Sequence, residues 1–225
     1  INSIKVRAMT TRSIPPTPRD GFFANQLDNF IGPGATTSEL ILQFGASLVI
    51  GLLCFWVKQE NDALSEEPSN WKLNAIVIAL GMDMIGGVVT NSTSAAKRWY
   101  HREGQGYVQH MTFISIHAMQ IAAVAFLFCP REDRQWFYFL AVYGLLLVSS
   151  VVVLSVPLYL QRPVAMSLVS AAIPLSMSKV LPETPGMEWF IPLLFLKLLV
   201  SHLTVETSFQ PGEVWHTDKK EDKQL

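Results

Sequence analysis

The chain has 225 residues, half of them hydrophobic and only 16% charged, with a mean hydropathy of +0.30. A soluble domain carries about 25% charged residues, so this composition belongs to an integral membrane protein. The formal net charge of −1 gives no basic field of the kind found on nucleic-acid-binding surfaces, and nucleic acid is excluded as an expected partner.

The first segment, residues 1–37, has no continuous apolar run and does not read as a cleavable signal peptide. Its basic residues, Ser and Thr, with few acids before Asp20, also suit an organellar targeting sequence. Pro15, Pro16 and Pro18 exclude a regular helix there. Residues 21–31 (GFFANQLDNFI) bring Phe22, Phe23, Leu27, Phe30 and Ile31 round with helical recurrence. They read either as an amphipathic helix lying in the membrane interface or as a short segment packed on the rest of the protein.

Six apolar segments follow at 38–57, 72–91, 110–129, 135–160, 163–181 and 188–206. Each has about 18 to 25 residues, enough for a hydrocarbon core of about 30 Å at about 1.5 Å per residue. Only helices satisfy their own backbone in lipid, so an all-α bundle over 38–206 is expected, ending in a polar tail at 207–225. Gln161, Arg162 and Pro163 alone separate the fourth and fifth segments, which leaves five spans as the rival to six. Cys54 and Cys129 have no metal-ligand or CxxC spacing and read as packing residues.

Charge sets the orientation. With the N-terminus cytoplasmic, that side collects Lys5, Arg7, Arg12, Arg19, Lys97, Arg98, Arg102, Arg162, Lys219, Lys220 and Lys223. The other side holds only Lys58, Lys72, Arg131, Arg134 and Lys179, which obeys the positive-inside rule and agrees with six spans returning both termini to the cytoplasm. Asn91-Ser92-Thr93 matches a glycosylation sequon, but its cytoplasmic side argues against a glycan.

Polar residues inside the spans carry the functional signal. Asp83 is the lone charge in the run 73–89, and an ionisable group at that depth marks a functional site by default. Asp83, Gly87 and Asn91 recur at i, i+4 and i+8, a stripe flanked by Gly86, Thr90 and Ser94 that lets another helix approach closely. His110 and His117 lie seven residues apart, with Gln120 beyond them, and His117 sits at the depth of Asp83. Lys197, deep in the last span, is the obvious counter-ion for Asp83; Ser201 and Thr204 follow on its stripe, and His202 and Glu206 form a second pair nearer the cytoplasm. A purely structural Asp83–Lys197 bridge is the competing explanation, and it leaves the three histidines unexplained.

The loop between the second and third spans puts Lys97, Arg98, His101 and Arg102 around Trp99 and Tyr100. They read as interfacial anchors or, with Arg162, as a cytoplasmic mouth for a phosphate, carboxylate or lipid head group. Dinucleotide, P-loop, zincin and nucleophile-elbow motifs are missing, and two imidazoles about 10 Å apart along a helix cannot share one metal ion. No metal or other cofactor is expected, although His202 with His110 or His117 is the pair a bis-histidine haem would use.

Three functions compete. The first is an enzyme running acid–base chemistry, an isomerisation or acid-initiated cyclisation, on a lipophilic substrate in a pocket within the bundle. Asp83 is then the acid, His117 or His110 the base and Asn91 an orienting group, with Arg98, His101, Arg102, Arg162, Lys197, His202 and Glu206 binding substrate. The second is a small proton-coupled or anion transporter in which Asp83, His117 and Lys197 form a relay. The third is an accessory subunit of a membrane complex whose polar residues only fix helix register. Oligomeric state is not encoded legibly.

Overall fold

A computed structural model of the protein describes residues 16–65 and 70–206. Lys5, Arg7, Arg12, Lys219, Lys220 and Lys223, and the tail 207–225, lie outside the described residues. The described chain is all helical: α1 Phe22–Ile31, α2 Thr37–Ser65, α3 Trp71–Ser92, α4 Ser94–Tyr100, α5 Tyr107–Ser115, α6 Ala118–Phe128, α7 Gln135–Ser155, α8 Leu158–Ser176 and α9 Phe190–Phe195, which runs on as a π-helical stretch, Leu196–His202. Four stretches are long and apolar enough to cross a membrane: Thr37–Leu64, Trp71–Ser92, Tyr107–Phe128 and Glu132–Ser155.

Local chemistry sets several helix ends. Thr36 and Glu39 form a reciprocal capping box for α2: the Thr36 N–H donates to Glu39 Oε2 at 2.7 Å and the Glu39 N–H to Thr36 Oγ1 at 3.2 Å. Asn70 Oδ1 caps α3 by accepting from the Lys72 N–H at 3.1 Å. Thr93 then divides α3 from α4, its hydroxyl donating backwards to Thr90 O and accepting forwards from the Ala96 N–H.

The spans differ from the sequence reading at two places. Between α7 and α8 the break falls at Val156 and Pro157 rather than at 161–163. Pro157 has no N–H to continue α7, whereas Pro163 is absorbed inside α8. The third predicted span bends at Ile116 and His117, so His110 lies in α5 and His117 caps α6. The two histidines therefore do not share one continuous helical face.

α3 is the organising helix, and glycine lets it be so. Gly81 faces α2 at Gly51 and Cys54, and a Cβ there would lie 3.0 Å from Cys54 Cβ. Gly86 also faces α2, where a Cβ would collide with the Ser47 hydroxyl, whereas its neighbour Gly87 faces the last helix, where a Cβ would collide with Lys197 Cε. Small residues on both sides let α3 sit wedged between the two, since helix association in lipid depends on close packing. Behind it the buried core runs through Ile114, Ile121, Leu146, Leu194 and Leu198, with Tyr138 and Phe190 towards the other end. Cys54 and Cys129 are buried and free, in keeping with packing roles.

Candidate functional site

The site grows from the close passage of α3 and the last helix. Lys197 Nζ donates to Asp83 Oδ1 at 2.8 Å, and Gln120 of α6 donates to Asp83 Oδ2 at 3.3 Å. The lysine side chain is only 4% exposed against 36% for the aspartate, so the carboxylate, not the ammonium, reaches towards the surroundings. Asp83 and Lys197 thus meet as counter-ions. The sequence also allowed Asp83 to pair with His117, but the His117 Nδ1 lies 2.9 Å from Phe113 O. A carbonyl only accepts, so Nδ1 carries the proton and the neutral ring presents Nε2 as a base.

A second cluster lies one step outward. His110 Nδ1 and His202 Nε2 are 3.1 Å apart, and His101 Nε2 donates to His202 O at 2.9 Å. The ring centres of His101 and His202 each lie 5.0 Å from that of His110. All three side chains are buried, and His202 Nδ1 has no hydrogen-bond partner. Lys97 of α4 closes the end of the π-helical stretch by donating to Ser201 O at 2.6 Å and Thr204 O at 2.7 Å. A cation on the free carbonyls of a helix C-terminus also suits the helix dipole. Burial pushes the Lys97 ammonium down to about 8, with Glu206 opposing that shift and Arg162 adding to it.

Phe113 stands between the two clusters. Its ring stacks on His202 at 4.1 Å and meets His117 edge-on at 5.1 Å. Nothing in its residue type or position singles it out in the sequence. Its i, i+4 spacing to His117 was visible, but its stacking on His202 depends on how the helices pack.

The other predicted site residues are placed as follows. Asn91 is buried, its Nδ2 without a partner, on the α3 stripe one turn beyond Gly87. Arg98 is buried and Arg102 lies over the Trp99 ring, 3.5 Å from its centre, while donating to Trp99 O. Of the residues expected at the anion-binding mouth, His101, Arg102 and Arg162 thus bond to the protein itself, whereas the buried Arg98 Nε has no hydrogen-bond partner. Glu206 pairs with Arg162 at 3.6 Å rather than with His202.

Among the described residues, no group of three or more His, Cys, Asp or Glu could hold a metal ion. Of the pair named for a haem, His110 and His202 bond to each other directly, and Phe113 covers a face of His202. The cavities among the described residues include a surface groove of about 470 Å³ along Tyr107, Met111, Thr112 and Ile116, and an apolar pocket of about 270 Å³ bounded by Phe137, Leu145, Leu175 and Ile191. Neither is lined by Asp83 or an imidazole. Compared with known proteins, the chain matches no family model, no curated protein and no solved structure.

Proposed function

We propose that the protein is a multi-pass membrane protein carrying a buried proton relay from the Asp83–Lys197 pair to the imidazoles at one face of the membrane, and that its activity is proton-coupled transport. One observation carries this reading: His101 and His110 gather at His202, Phe113 lies between His202 and His117, and the same bundle holds the Asp83–Lys197 ion pair. An imidazole can accept a proton on one nitrogen and release another from the opposite nitrogen, which suits a chain of such rings to proton transfer. The short His110–His202 contact is one such step. Phe113 interrupts the chain between His202 and His117, so the transfer there requires its ring to swing aside. Acid–base catalysis on a lipophilic substrate needs a cavity against the acid or the base, and neither the groove along Tyr107 nor the pocket at Phe137 supplies one.

The proposal includes six crossings with both ends of the bundle on the cytoplasmic side. α8 and the helix from Phe190 to His202 would be the fifth and sixth; the second is short, at roughly 20 Å by a rise of about 1.5 Å per residue. The Arg162–Glu206 pair supports this topology, since it puts the start of α8 and the end of the last helix at the same end.

Reconstituted vesicles containing a pH-sensitive dye, driven by a potassium diffusion potential, test the relay. Wild-type protein should carry protons well above the rate in empty vesicles, and His202→Phe or His110→Phe should reduce that flux at least tenfold while the protein stays folded. Wild-type flux equal to the empty-vesicle leak removes the reading. Cysteines placed at the exposed Glu103 and Arg131, in a chain with Cys54 and Cys129 replaced, should label from opposite sides; labelling from one side contradicts the six crossings.

A further inference from the structure

α1 is packed inside out for a water-soluble surface. Phe22, Phe23, Leu27 and Phe30 are all exposed, Phe23 at 86%, whereas the buried positions of the helix include an aspartate, Asp28, beside Ile31. The exposed set recurs at i, i+1, i+5 and i+8 and falls on one arc of the helix, which the exposed Gln26 shares. A mainly apolar face left on a surface marks something that covers it. The buried side is held by charge and by fit. Arg19 clamps the Asp28 carboxylate, its Nη2 donating to Oδ1 at 2.8 Å and its backbone N–H to Oδ2 at 2.7 Å. Gly32, at φ +87°, rests on the Ala95 and Ala96 backbone, where a Cβ would have no room.

Position identifies the cover. Five residues, 32–36, separate α1 from α2, a helix long and apolar enough to cross a membrane, whose own exposed apolar side begins at Ile41 and Leu42. The apolar face of α1 is thus continuous with the outer surface of a candidate span at the level where that span begins. We infer that α1 lies in the plane of the bilayer with this face in the boundary between head groups and acyl chains, and that it passes the hold of the lipid to the imidazole cluster through Tyr100. The Tyr100 hydroxyl donates to Phe30 O at 2.8 Å, and its ring stands edge-on to His202 at 5.3 Å. The bilayer is the one occupant that an amphipathic helix at a span entrance meets without any further chain. The second half of this inference rests on the relay proposed above; the first does not.

A nitroxide at Phe23→Cys, in a chain lacking Cys54 and Cys129 and reconstituted in phosphatidylcholine–phosphatidylglycerol vesicles, reports the depth of α1. Collision with oxygen but not with a water-soluble nickel chelate is expected. Ready collision with nickel overturns lipid insertion, as does shielding from both reagents, which would mean that a second copy or a partner protein covers the face. Proton flux then tests the link. Phe22→Ser/Phe23→Ser, which touches no core residue, and Tyr100→Phe, which keeps the ring, should each lower flux several-fold and shift its pH profile in the same direction. Unchanged flux in both, against an active wild type, overturns the link. An inactive wild type with a lipid-embedded nitroxide overturns the relay and the link but upholds the membrane seat of α1.

Discussion

The inner site at Asp83 and the outer site at His202 solve the same problem, polar groups held in an apolar bundle, in opposite ways. In the inner site two full charges compensate each other, Gln120 adds a third partner through its amide nitrogen while its Oε1 has none, and Gly87 makes room for the lysine stem. In the outer site imidazoles lean on backbone carbonyls and on one another, and one nitrogen, His202 Nδ1, is left without a partner. A compensated ion pair resists change, because removing either partner strands the other. A set of rings that can each donate or accept has more than one satisfied arrangement. The inner site therefore acts as a fixed terminus and the outer one as the adaptable part of the proposed relay.

The largest effect expected from this difference is at Asp83. Asp83→Asn leaves the buried Lys197 ammonium without its counter-ion, and breaking a buried pair in this way costs about 3–5 kcal/mol. Lys197→Met should cost less, because the remaining carboxylate is the more exposed partner. The double variant should regain most of the loss, as apolar replacements of a buried pair often do. Thermal unfolding in detergent measures all three. Equal, small losses in both single variants would mean that the inner pair is not compensated charge, and the comparison would fail at that end.

Next in size is Gly87→Ala. Its methyl would collide with the Lys197 stem, and overpacking of this kind costs about 1–3 kcal/mol. Gly86→Ala, one residue away, would press on Ser47 of α2 instead and should leave the ion pair intact. Infrared bands of the Asp83 carboxylate should shift in the first variant and not in the second.

At the outer site, His202→Phe should be milder for stability, about 1 kcal/mol, since the ring stack on Phe113 survives and the loss is roughly one net hydrogen bond. Its effect on flux should be at least tenfold. Phe113→Leu sharpens the contrast, because it removes the ring between the two sites without touching a titratable group, and proton flux should rise. Flux that falls or stays level in Phe113→Leu would show that the ring is not the barrier between them.

Much of the inner site was legible in the sequence, and much less of the outer one. Asp83 and Lys197 are lone charges in apolar runs of known length, so depth alone made them candidate partners, and the Asp83/Gly87/Asn91 stripe pointed to a close helix neighbour. That Gly86 and Gly87 face different helices follows from the turn angle between neighbours, but which helices was not readable. His110, His117 and His202 stood out as residues. Their convergence depends on the bend at Ile116–His117, on the π-helical stretch that ends at His202 and on Phe113 between them. These are choices among nearly equal backbone hydrogen-bond patterns, decided by tertiary packing, and a regular 3.6-residue reading passes over them. The break before α8 was misread because Pro163 looked like the end of a helix, whereas Pro157 leaves a backbone hydrogen bond unmade six residues earlier.

The smallest expected effect separates the two sites by pH. The Arg19 guanidinium bonded to Asp28 holds that carboxyl below its usual range, so the unfolded chain binds the proton more readily than the folded one. The clamp therefore contributes fully above the ordinary aspartate value of about 3.9 and is lost as pH falls through the lowered folded value. Because Arg19 is well exposed, the loss should loosen α1 locally rather than unfold the bundle. Protection against hydrogen exchange in 22–31, taken relative to the intrinsic rate at each pH, should then fall at acid pH, and Asp28→Asn should show the lower protection at neutral pH with no further acid step. The change should reach Tyr100, whose hydroxyl donates to an α1 carbonyl, and through its ring His202, while exchange around Gly87 and Lys197 stays as it was. If both regions loosened together, the outer cluster would be no more adaptable than the ion pair, and the division of labour between them would have to be abandoned.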